Sequence, residues 1–169
     1  MFETGEWVMY GIHGVCRVMG IEKQTVNRKR TEYLVLAPRL QSKSRFYLPT
    51  DNPAAMAKLK PVLGEAEMRA LLSSDTIRKD VWIDEENQRK QHYRDIMSGG
   101  DRLTLLQMVT SLYRYRAAQT ASGRKFHQCD ENFLRDAEKL LSSEISLVLN
   151  LTQEQARDYL RERLILIFN

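Results

Sequence analysis

The 169 residues suffice for one compact domain or two small ones, and 43% hydrophobic with 28% charged residues is the balance of a soluble globular protein. No apolar run follows a basic start and none approaches the length of a bilayer span, so neither a signal peptide nor a transmembrane helix is expected. The formal net charge of +4 is too mild to make the chain a strong polyanion binder by itself.

That charge is unevenly placed. Residues 1–73 carry 11 Lys+Arg against 7 Asp+Glu, whereas residues 74–169 are neutral. Within the neutral half, residues 103–129 hold Arg114, Arg116, Arg124 and Lys125 and no acid. A local patch of this kind can contact phosphates or can be a solvated helix end. Cys16 and Cys129 lie far apart in the sequence and read as reduced thiols, which points to a cytoplasmic protein.

Taken in order, the chain begins with β pattern and turns helical near residue 63. Trp7–Tyr10 predicts a first strand, His13-Gly14 a turn, and Val15, Arg17, Met19 and Ile21 a second strand. The polar "QTVNRKR" predicts a hairpin loop, "TEYLVLAPRL" a third strand, "QSKS" a turn, and "SRFYLPT" a fourth strand ended by Pro49. Four or five such short antiparallel strands predict a small half-open barrel over residues 1–62, because a flat sheet this short buries too little surface alone.

From residue 64 the period is helical. A short helix fits "GEAEMRALLSS", and Asp84 is placed to cap a helix running to Met97 and stopped by Ser98-Gly99-Gly100. Asp101 caps the next, with a stripe of Leu105, Leu106, Val109, Leu112 and Tyr113. Asp130 starts another, through Phe133, Ala137, Leu140, Leu141, Ile145, Val148 and Leu149. Leu151, Thr152 and Gln155 supply a staple, an N-cap and a capping box for a last helix, ending in "LILIF", a helix end or packing tail. The fold class is therefore α+β in two modules, a small antiparallel β barrel and a compact all-α domain over residues 63–169.

Catalytic chemistry is missing from this pattern. His13, His92 and His127 fall in three segments, and neither His13 with Cys16 nor His127 with Cys129 has a second pair at zinc spacing. There is no glycine-rich phosphate loop and no nucleophile elbow. Asp84, Glu85 and Glu86 cluster where a helix begins and complement its dipole. No enzymatic activity, catalytic residue, metal or other cofactor, or small-molecule substrate is expected. The pattern is that of a binding protein.

The order of several segments carries a resemblance. "FETGEWVMYGIHGVCRVMGIE", "EYLVLAP", "YLP", "LKPVLGEAE", the Ser98-Gly99 to Asp101 junction and "GRKFHQCDENFLRDAEKLLSSEISLVLNL" resemble, in that order and over some 150 residues, the CarD/CdnL family of bacterial transcription regulators. The resemblance implies an N-terminal Tudor-like barrel, similar to the polymerase-interacting domain of transcription-repair coupling factor, that docks on the RNA polymerase β subunit by strand addition. It implies a helical domain that touches promoter DNA at the upstream edge of the melted region, where a family tryptophan enters the minor groove as a wedge and stabilises the open complex. It also implies a cytoplasmic location at the nucleoid, through polymerase, and no membrane contact.

Carried onto this chain, the resemblance makes Trp82, Arg89, Lys90, Arg114, Arg116, Arg124 and Lys125 the DNA-binding candidates, the last four expected on one side of the domain. Lys23, Gln24, Arg28, Leu34, Leu36, Arg45 and Tyr47 are the polymerase-binding candidates, with the docking edge expected near Leu34–Leu36 or Phe46–Leu48. Three departures matter. The family's barrel arginines fall here on Gln24 and Tyr47. The family tryptophan, counted back from Ser98-Gly99, falls on Glu85, so Trp82 reaches the same spot only if its helix starts a turn earlier or its loop takes another path. Two roles are open to Trp82: an exposed wedge, or a buried anchor for the hinge. Two function classes are open as well, a polymerase–promoter bridge and a protein-only adaptor. A free nucleic-acid-binding barrel is disfavoured by the lack of an aromatic stacking platform.

Overall fold

The computed structural model describes residues 2–41, 43–99 and 101–166. It divides into two compact units, Met1–Val62 and Leu63–Asn169, each with its own core. The architecture is α+β in two modules, antiparallel strands first and helices after.

The first unit is one antiparallel sheet in the order β4-β3-β2-β1-β5, built from β1 (Trp7–Tyr10), β2 (Val15–Val26), β3 (Lys29–Pro38), β4 (Phe46–Pro49) and β5 (Leu59–Pro61). The expected half-open barrel thus takes the form of a five-stranded sheet with two edges, β4 and β5. Asn52 caps a single turn, α1 (Pro53–Met56), by accepting from the N–H groups of Ala54 and Ala55. Val8, Cys16, Val18, Leu34, Leu36, Leu48 and Leu59 form the core, with Phe2, Tyr10, Phe46 and Met56 against it. The ladder shifts between Val18 and Gly20, and the bulge leaves Met19 and Ile21 exposed.

The polar segment expected as a loop is strand. β2 and β3 stay paired out to Val26↔Lys29, and only Asn27 and Arg28 form the turn. Both have positive φ, 51° and 64°, which a two-residue hairpin turn of the twist-matching kind requires.

The second unit holds α2 (Glu65–Leu72), α3 (Glu86–Gly99), α4 (Arg102–Ala121), α5 (Gln128–Val148) and α6 (Gln153–Leu166). α4 is its axis. Nine consecutive residues, Leu105–Tyr113, are buried, so the apolar stripe of the sequence is closed over on all sides. Its polar members are satisfied locally: Thr110 and Ser111 donate to the carbonyls of Leu106 and Gln107, and Gln107 Nε2 donates to the Thr76 carbonyl. Asp101 caps α4 through the Thr104 N–H, and Thr152 and Gln155 form the expected reciprocal capping box of α6.

Two helix starts differ from the sequence expectation. Glu85, not Asp84, caps α3, accepting from the N–H groups of Asn87 and Gln88 at 3.1 and 2.6 Å. α5 starts at Gln128, two residues before Asp130, because the Asp130 carboxylate is engaged elsewhere. Of "LILIF", Leu164 is buried and Ile165 exposed; residues 167 and 168 lie outside the described residues.

Three carboxylates tie the helices together. Asp130 holds Arg89, Glu144 holds Arg102 and accepts from the Leu63 N–H, and Glu138 holds Arg161 and accepts from the Tyr113 hydroxyl. Burial, reinforced by Glu138, pushes the Tyr113 phenol well above its ordinary range.

Candidate functional site

In the sheet, the free edge that matters is β4. It pairs only with β3, in the register Tyr33↔Pro49, Leu34↔Leu48, Val35↔Tyr47 and Leu36↔Phe46. The Thr50 N–H donates to the Glu32 carbonyl at 3.0 Å, so Glu32–Thr50 is a hydrogen-bonded pair. Antiparallel pairs alternate, which makes Leu34↔Leu48 and Leu36↔Phe46 hydrogen-bonded too. The N–H and C=O of Tyr47 are therefore the groups turned to the open side, and Pro49 beyond them has no donor. The start of the edge is stiffened by aromatic packing, with the Phe46 ring centroid 4.4 Å from His13 and 5.4 Å from Tyr10. β5, the opposite edge, is three residues long and ends in Pro61.

This geometry sorts the polymerase-binding candidates. Leu34 and Leu36 are withdrawn: their side chains are core, and β3 is paired on both sides by β2 and β4. Tyr47 is 46% exposed on the free edge. Arg45, just before it, is exposed and donates to the Ser44 carbonyl. Lys23, Gln24 and Arg28 are exposed on the long β2–β3 hairpin, Lys23 paired across the strands with Glu32 at 3.5 Å and Gln24 bonded to Glu22.

In the helical unit the site is built around Trp82. Residues 79–85 form no regular element and run along α4. The Val81 N–H donates to Ser111 Oγ at 3.0 Å. One helical turn further, the Trp82 indole lies flat on Tyr115, with ring centroids 3.5 Å apart and planes 17° apart. Ser111 and Tyr115 are four residues apart and so share a face of α4. Trp82 Nε1 donates to Asp84 Oδ1 at 3.0 Å, and the Arg89 guanidinium stands 4.1 Å from the indole. The tryptophan is half-buried, neither a free surface residue nor a core residue. α3 does not begin a turn early; its first residue is Glu86.

Arg89 must be removed from the DNA-binding set. It is 2% exposed, and its Nε and Nη2 donate to the two oxygens of Asp130, each at 3.0 Å. Nη1 donates to the carbonyls of Ile83 and Asp84 at 2.9 and 3.2 Å. Burial opposes its charge, but the hydrogen bonds and charge of Asp130 outweigh that and raise its pKa. A guanidinium so engaged cannot reach a phosphate. What it does is bolt the Trp82 segment to α5.

The remaining cations do not share one side. Arg114 and Arg116, two residues apart, stand about 200° apart around α4. Arg114 donates to the Arg78 carbonyl, while Arg116 pairs with Glu131 on α5 at 3.2 Å. They flank Tyr115 instead of lining up. Lys90 is half-buried and paired with Glu86 at 3.1 Å. Arg124 and Lys125 are exposed just past the end of α4, directly before Phe126, whose ring is 6.5 Å from Tyr115. Sequence reasoning missed Tyr115, which is on α4 between two arginines and carries no local signal of its partner 33 positions earlier.

Among the described residues, no group of three His, Cys, Asp or Glu side chains is placed to hold a metal ion, and no helix is long and apolar enough to cross a membrane. Cys16 and Cys129 are free thiols, and burial pushes Cys16 up to about 12.

Comparison with known families gives two matches, in chain order. The CarD-like/TRCF RID domain matches residues 2–60, and the CarD C-terminal domain matches residues 68–161. A search of curated proteins finds no match. Family regulators of this kind act without enzymatic chemistry. A polymerase-interacting module on the sheet, followed by the family's own helical module, makes the chain a member of the CarD family of RNA polymerase-interacting transcription regulators.

Proposed function

We propose that the chain docks on the β subunit of RNA polymerase by adding a strand to β4 and lays the Trp82 face of its helical unit on promoter DNA at the upstream edge of the bubble. There it stabilises the open complex, working in the cytoplasm and held at the nucleoid through polymerase. The observation that carries the DNA half is the seating of Trp82. A wedge between base steps must be apolar, reachable and rigid, because it replaces stacking that costs a few kcal/mol to undo. Trp82 is an apolar ring, half-buried and held on an aromatic shelf with the Arg89 guanidinium against it, which supports this role. The polymerase half is supported by β4, whose Tyr47 N–H and C=O offer a partner strand one donor and one acceptor.

The deciding experiment measures open-complex lifetime and the upstream footprint with polymerase, promoter and either wild-type or Trp82→Ala protein. The expected result is an unchanged affinity for polymerase with a shortened lifetime and loss of protection at the bubble edge. Equal lifetimes and footprints for both proteins would leave the adaptor as the function.

A further inference from the structure

We infer that Tyr115 is a positioning residue for Trp82, the shelf that fixes the plane in which the indole meets DNA. The inference rests on the proposed DNA role of Trp82 and goes beyond it. Trp82 stands in a segment without helix or strand hydrogen bonding, so its direction must be set by side chains. The Arg89 guanidinium and the Asp84 carboxylate hold one ring contact and the indole N–H, but neither fixes the tilt of the ring. Tyr115 does, because flat contact at 3.5 Å and 17° defines a plane.

The shelf is itself held. Gln119 Nε2 donates to the Tyr115 hydroxyl at 2.6 Å from one turn further along α4, and the Phe126 ring lies at 6.5 Å. Nine consecutive residues of α4 are buried up to Tyr113, so a side chain two residues past that closed stretch inherits its rigidity. The Val81–Ser111 hydrogen bond sets the height of the segment on the same face of α4 that Tyr115 occupies. Together these contacts give Trp82 one orientation before any DNA arrives, and less conformational freedom remains to be lost on binding.

The test uses the full-length chain with Tyr115→Leu, which keeps apolar bulk but not the flat ring, and Tyr115→Phe, which keeps the ring. Trp7 is the other tryptophan, so a Trp7→Phe background makes emission report on Trp82 alone. Tyr115→Leu is expected to increase acrylamide quenching of Trp82 and to shorten open-complex lifetime about threefold to tenfold, with polymerase affinity and helicity unchanged. Tyr115→Phe is expected to restore both. In a Trp82→Ala background Tyr115→Leu should add nothing.

Each contrary result has one meaning. If Trp82→Ala shortens the lifetime and Tyr115→Leu does not, the positioning role is wrong while the DNA reading stands. An added loss from Tyr115→Leu on top of Trp82→Ala makes Tyr115 a direct DNA contact, which also overturns the inference. If Trp82→Ala itself has no effect, the DNA reading fails first, and the inference with it.

Discussion

The Arg89–Asp130 pair offers the sharpest test of how the helical unit is held together. Both side chains are almost fully buried, at 3% and 1% exposure, and Arg89 makes four hydrogen bonds, two to Asp130 and two to the carbonyls of the Trp82 segment. Removing one partner leaves the other charge buried without compensation, at a cost of about 3–5 kcal/mol. Arg89→Met and Asp130→Leu should each show that loss. The double variant removes both charges and keeps apolar volume, so it should recover most of it. What remains lost is the pairing of the Ile83 and Asp84 carbonyls, about 1 kcal/mol each at most, since the exposed Asp84 lies where water can reach. Urea unfolding followed by far-ultraviolet circular dichroism reports on this unit, because nearly all the helix belongs to it. Single variants within about 1 kcal/mol of wild type, together with weakened DNA contact, would refute the reasoning. That outcome would mean that Arg89 leaves Asp130 and works on a phosphate.

Tyr47→Pro should abolish binding to the polymerase β subunit while leaving the β3–β4 ladder in place, because the deleted N–H faces the open edge; undiminished binding in a pull-down would move the docking site off β4. Replacing Arg124 and Lys125 with glutamine should weaken DNA contact on all sequences alike and reduce the salt slope by about 2, the effect of two lost phosphate contacts, as read from binding isotherms at several salt concentrations. Trp82→Ala should cost the fold about 1–2 kcal/mol in thermal or urea unfolding, since a half-buried stacked ring loses one aromatic contact and one cation–π contact; a loss above about 3 kcal/mol would make it the buried anchor.

Features governed by neighbours in the chain were legible. The Thr152–Gln155 capping box, the Asp101 cap, the Pro49 strand end and the helical run of α5 all depend on residues within a turn or two. The tip of the β2–β3 hairpin was not, because an arm exposed on both faces shows no apolar alternation, and the five strand residues beside the turn, Gln24–Val26 and Lys29–Arg30, look like a polar loop. Arg89 was misread for a related reason. A cation on a mostly polar helix looks the same whether it faces water or a carboxylate 41 residues away. Leu34 and Leu36 were placed in the right segment but given the wrong task, since a sequence shows that a strand exists and not which neighbours flank it.

Taking Arg89 inward changes the physics expected at the DNA. The helical unit carries 16 Lys+Arg against 17 Asp+Glu, a net −1, Lys90 and Arg116 are paired with glutamates, and Arg114 is bonded to a backbone carbonyl. Counterion release, which dominates affinity for most DNA-binding proteins, therefore has few cations to act through. A half-buried indole cannot replace it on intact duplex, where no base step is open to receive it. On the proposed reading the missing affinity comes from tethering: docking at β4 raises the effective concentration of the helical unit near the promoter, so a weak contact becomes effective only on polymerase. The same arithmetic gives selectivity for the open complex over free DNA without any base-specific contact, because only the melted edge offers a distorted step and only polymerase supplies the tether.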